Sequence, residues 1–149
     1  MARPLAFYPL FLLLLLLGIS AAFGGWVLMT QPEIFRMPPE WLSQSPFGSF
    51  FLPGLILFVF NGLFPLFAAA GLLLKPNWSW ANIFNIYRDK HWGWTYSLFS
   101  GIIIIIWITV QITMVASSWL QPAYLAVGLL ILIFTLWPST MRHYQIFEK

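Results

Sequence analysis

From Leu5 to Met29, and again from Phe51 to Leu74, the chain carries no charged side chain. A helix rises about 1.5 Å per residue, so roughly 20 such residues cross the hydrocarbon of a bilayer. Residues 94–115 form a third run of this kind. A fourth, 119–137, reaches crossing length only when Trp119 and Leu120 are counted with the apolar stretch that begins at Ala123. The expectation is one all-α transmembrane domain over 1–149, an integral membrane four-helix bundle with spans at about 5–29, 51–74, 94–115 and 119–137. Composition agrees: 7% of the 149 residues are charged and 60% are hydrophobic, whereas a soluble domain carries about 25% charged residues to coat its surface.

Basic residues orient the spans. Arg3, the loop residues Lys75, Arg88 and Lys90, and the tail residues Arg142 and Lys149 fall on one side of a four-span chain, against Arg36 alone on the other. Short loops rich in Lys and Arg stay in the cytoplasm, so both termini are expected there. The same scatter of basic residues beside spans accounts for the net charge of +3 without nucleic acid. The start, MARPLAFYPLFLLLLLLGISAAFGG, has the basic head, apolar core and small-residue patch of a cleavable signal peptide. Its apolar run continues to Met29, and an uncleaved span is the expectation.

Gly18, Ala21, Ala22 and Gly25 share one face of the first helix. Strips of small residues let helices approach closely in lipid, where packing drives association. A close contact with the second helix, which carries Ala68-Ala69-Ala70-Gly71, is expected. Tryptophan and tyrosine mark the membrane interfaces: Trp26, Trp41 and Trp119 outside, and Tyr8, Trp78, Trp80, Trp92, Trp94 and Trp137 inside.

Two loops hold more than linker material. The outer one, TQPEIFRMPPEWLSQSPFGS, mixes prolines with Ile34, Phe35, Met37, Trp41 and Leu42, as suits a lid over the bundle. Pro38-Pro39 predicts extended chain, and a short helix begins at Glu40-Trp41-Leu42. In the inner loop, Trp80, Ile83, Phe84 and Tyr87 align on one helical face. This predicts a short amphipathic helix in the cytoplasmic interface, with Arg88, Lys90 and Trp80 at lipid head groups.

The second span is interrupted by Asn61, Gly62 and Pro65 near mid-bilayer. Pro65 cannot donate to the carbonyl of Asn61, which leaves polar groups that need partners within protein. Gln111, Thr109 and Thr113 on the third span are the candidate partners, and together with Asn61 and Gly62 they form the candidate ligand site. The plainer reading is a kinked helix held to its neighbour by an amide.

Catalytic chemistry is sparse. There is no cysteine, no acid pair within a span and no nucleotide motif, and His91 and His143 read as interfacial polar residues before they read as metal ligands. The Cys-dependent quinone reductases of this size are excluded by composition. At FFLPGLILFVFNG and HWGWTYSLFSGIIIIIWITVQ the chain resembles small four-helix bacterial inner-membrane proteins of unknown function. The resemblance implies a multi-pass plasma-membrane protein and no activity. Two functional expectations follow. One is a non-enzymatic accessory subunit of a larger respiratory or photosynthetic complex, whose partners are membrane lipids, other subunits or a second copy. The other is a stand-alone carrier or sensor of a lipid, quinone or carotenoid beside the Asn61/Pro65 interruption. No cofactor is specified by any motif.

Overall fold

The computed structural model describes residues 2–147. Lys149, counted above among the basic residues of the tail, lies outside them. Four apolar helices dominate: α1 (Phe7–Thr30), α2 (Phe51–Leu74), α3 (Trp92–Ile112) and α4 (Leu120–Thr135), followed by a short α5 (Pro138–His143). The first three are long and apolar enough to cross a membrane, while α4, with 16 residues, is shorter. No strand occurs among the described residues; Lys90 and Gln145 form an isolated bridge. Each long helix packs on its chain neighbours, and α4 returns to α1, closing a ring of four.

The ring is drawn tight by glycine. A Cβ on Gly25 would lie 2.7 Å from the Gly54 carbonyl oxygen, and one on Gly54 would lie 2.9 Å from that of Gly25. Gly71 and Gly93 meet in the same way between α2 and α3, as do Gly101 and Gly128 between α3 and α4. Gly62 abuts Ala22, so the expected small-residue face of α1 does receive α2. The Ala68–Gly71 stretch is divided: Gly71 serves the α3 contact, its place filled by the Trp92 ring.

Leu12, Leu16, Ile19 and Phe23 on α1, Ile102 and Ile106 on α3, and Leu129 and Ile133 on α4 are exposed on the perimeter. A continuous apolar exterior of this kind matches acyl chains and not water. Two of the tryptophans expected in the interfacial belt are instead core residues. Trp92 and Trp94 are buried, their indole N–H groups donating to Pro76 O at 2.9 Å and Thr135 O at 2.8 Å. A buried indole needs such an acceptor.

Helix ends follow local chemistry. His91 starts α3 two residues before the expected span, because its Nδ1 accepts from the Gly93 N–H at 3.1 Å as an N-cap. Pro138 ends the fourth run early by holding Trp137 extended, with ψ of 133°. The inner loop forms one 3₁₀ turn, Ser79–Asn82, in place of the expected amphipathic helix. One polar side chain of the loop turns inward to loop backbone and α3: Asn85 donates to Lys90 O and accepts from Thr95. In the outer loop, Glu40–Ser43 is the short helix expected, but Pro39 is already helical (ψ −24°) where extended chain was expected.

Candidate ligand site

Asn61 sits where α2 changes register. Residues Leu57–Leu63 are π-helical, the segment closing with the Phe64 N–H bonded to Val59 O. The wider turn places one extra residue just before Pro65, whose missing N–H could not have continued the ordinary ladder. Both side-chain polar atoms of Asn61 are fully buried and meet no hydrogen-bonding group of the protein.

The expected partners are elsewhere. Thr109 and Thr113 are exposed, and their hydroxyls donate back to Ile105 O at 2.7 Å and Val110 O at 2.6 Å on their own helix. They therefore do not reach Asn61. A threonine in a helix satisfies its hydroxyl on the preceding turn, which is why neither crosses to α2. Gly62 is spent on the α1 contact. Gln111, half-buried, lines a separate space at the end of the bundle nearest residues 31–50.

That space is a cavity of about 520 Å³ bounded by α1, the first turns of α2, α3, the start of α4 and the outer loop. Ala21, Leu28, Ile104 and Ile108 form its deep wall, and Phe35, Met37, Trp41 and Phe47 close it from the loop side. The apolar loop residues therefore cap the bundle, as a lid would. Phe23 and Val110 belong both to the cavity and to the exposed perimeter, so the cavity meets the lipid-facing surface. Trp107, Tyr124 and Gln121 also line it; sequence patterning could not separate them from core or belt, since Trp107 on α3 joins Gln121 and Tyr124 on α4 only through the fold.

Polar groups are few and placed together. The Tyr124 hydroxyl donates to Ser20 Oγ at 2.8 Å, and Ser20 donates onward to Leu17 O at 3.2 Å. Gln121, buried, accepts from the Ser118 N–H at 3.3 Å through Oε1, which leaves its NH₂ group as a donor. No Lys, Arg, Asp, Glu or His is among the described lining residues. An ionised ligand would be left unpaired in such walls at a cost of many kcal/mol. A neutral, mainly apolar molecule with one hydrogen-bonding end fits them, and the volume lies within the usual range for small-molecule pockets, about 300–1,000 Å³.

The lipid head-group candidates diverge. Arg88 and Trp80 are exposed, but Lys90 is buried, paired with Asp89 and 5.7 Å above the Trp94 ring. The hydrogen bond from Lys90 holds the Asp89 carboxyl below its ordinary value. His91 is used structurally: its Nε2 lies 3.0 Å from Pro76 O, and desolvation pushes its pKa down. Among the described residues no group of three His, Cys, Asp or Glu could hold a metal ion.

Comparison of the chain with protein-family models, with curated proteins and with solved structures finds no match.

Proposed function

We propose that this protein is a multi-pass bacterial inner-membrane protein that binds a neutral lipophilic small molecule, without catalysing a reaction on it. In this reading α4 is the fourth span, both termini are cytoplasmic and the lid loop faces outward. The charge-free cavity of about 520 Å³ carries the proposal. Its chemistry suits a lipid, quinone or carotenoid whose oxygen meets Gln121, Gln111 or Tyr124. The site thus lies nearer the outer end of the bundle than Asn61. Met37 and Met114 in the lining add adaptable contacts. Organic extraction and mass spectrometry of the purified protein test the proposal: one recurrent neutral species near equimolar amount supports it, and its absence removes it.

The accessory-subunit reading has a narrower support. Ile83, Phe84 and Ile86 of the inner loop are 73%, 71% and 68% exposed, an apolar edge that a neighbouring subunit could cover. Native purification in mild detergent separates the two. A protein that runs only as a free monomer or homodimer leaves that edge to the bilayer interface.

A further inference from the structure

At the opposite end of the bundle, three basic side chains, Arg3, Lys75 and His143, converge from three separate parts of the chain. The Arg3 guanidinium donates to Leu73 O at 2.9 Å and lies 5.0 Å above the Phe7 ring. The Lys75 ammonium donates to His143 O at 3.1 Å and sits 4.5 Å above the Tyr144 ring. The Tyr144 hydroxyl donates in turn to Leu72 O at 2.8 Å, so all three chain segments are tied to the C-terminal turn of α2.

Capping that helix end explains part of the arrangement, since a helix C-terminus carries about half a negative charge. It does not balance it. Two full positive charges and a histidine stand against that half charge. Among the described residues the one ion pair joins Asp89 to Lys90 and includes none of the three. Burial and then repulsion from Arg3 hold Lys75 below the ordinary lysine value, and burial and then repulsion from Lys75 depress His143. Donors also remain free. A guanidinium has five N–H groups and an ammonium three, and one of each is used here. Beside the cations the surface turns apolar, with Leu5 at 88%, Tyr8 at 53% and Leu74 at 68% exposure.

We propose that Arg3, Lys75 and His143 form a binding site for the phosphate of an anionic phospholipid, whose acyl chains lie along Leu5, Tyr8 and Leu74. Charge above and an apolar surface below match the two halves of such a lipid, and basic pockets at helix ends are known to take these head groups. The site is independent of the outer cavity. It also differs from the Arg88, Lys90 and Trp80 set, whose lysine is already paired.

The test is native mass spectrometry of the delipidated full chain, titrated separately with phosphatidylglycerol, phosphatidylcholine and inorganic phosphate. Wild type prefers phosphatidylglycerol. Arg3→Gln with Lys75→Gln reduces that preference on the order of 20-fold, and Arg3→Gln alone about fivefold; the single change decides the matter should the double variant not fold. Arg36→Gln, which alters net charge at the other end, leaves it unchanged. An unaltered preference in Arg3→Gln, an equal loss in Arg36→Gln, or inorganic phosphate bound as tightly as the lipid would each overturn the proposal.

Discussion

Gly25 and Gly54 face each other across α1 and α2, each occupying the space that a side chain on the other helix would need. The Phe58 amide nitrogen stands only 2.5 Å from where a Gly25 Cβ would fall. These are backbone atoms, which cannot rotate aside.

Gly25→Ala should therefore destabilise the bundle by about 1–3 kcal/mol, the usual cost of overpacking. Its neighbour supplies the control. A Cβ at Gly24 meets only Leu57 Cδ2 at 3.7 Å, so Gly24→Ala should be neutral or stabilise by up to about 1 kcal/mol through helix propensity. Unfolding measured in bicelles checks both. Equal effects of the two changes would contradict the packing assignment.

Much of this frame was legible in the sequence, because bilayer thickness sets span length and small residues set close approach. The second apolar helix runs from Phe51 to Leu74, the limits of the apolar stretch, and the glycine face of α1 was readable at helical spacing. The π-helical turn was not, since Pro65 permits a kink or a register change equally well. The cavity was not either: Gln111 was singled out, but for a contact with Asn61, and although Trp107 lies one turn before it on α3, Gln121 and Tyr124 come from α4 and join them only in three dimensions. Apolar loop residues around Trp41 were the readable signal that something lay beneath them.

Asn61→Leu follows from the amide's lack of a protein partner. A buried polar group without a hydrogen bond costs about 1–3 kcal/mol. Replacement by an apolar side chain of similar size should thus be neutral or stabilise by about 1–2 kcal/mol, with ligand content in the outer cavity unchanged. A loss greater than about 2 kcal/mol, read by the same unfolding measurement, would show that the amide is engaged.

Acidification should loosen the inner end. The His91 pKa is depressed below the ordinary 6.5 by burial, with Lys75 adding repulsion against the opposing Pro76 hydrogen bond. The unfolded chain then binds the proton more readily than the folded one. Stability is full above the ordinary histidine pKa and declines as the pH falls through and below it. His91→Asn keeps an N-cap acceptor and removes this titration, so thermal unfolding between pH 7 and 5 should become flatter. His143, also depressed, leaves a residual slope. An unchanged slope in His91→Asn would refute the assignment.

Reporter fusions within residues 31–50 should report the outer face, and fusions at either end the cytoplasm. An external C-terminus would mean that α4, at 16 residues, does not cross.

The binding claim is tested most directly by comparing extracts of purified wild type with the Gln111→Leu, Gln121→Leu double variant. Both changes are close in size and leave the four-helix contacts in place. Wild type should release one neutral lipophilic species at near one per chain. The double variant should retain it roughly 30-fold less, as expected for losing two hydrogen bonds of about 1 kcal/mol each. Wild-type extracts with no such species, or equal retention in the double variant, would contradict the account.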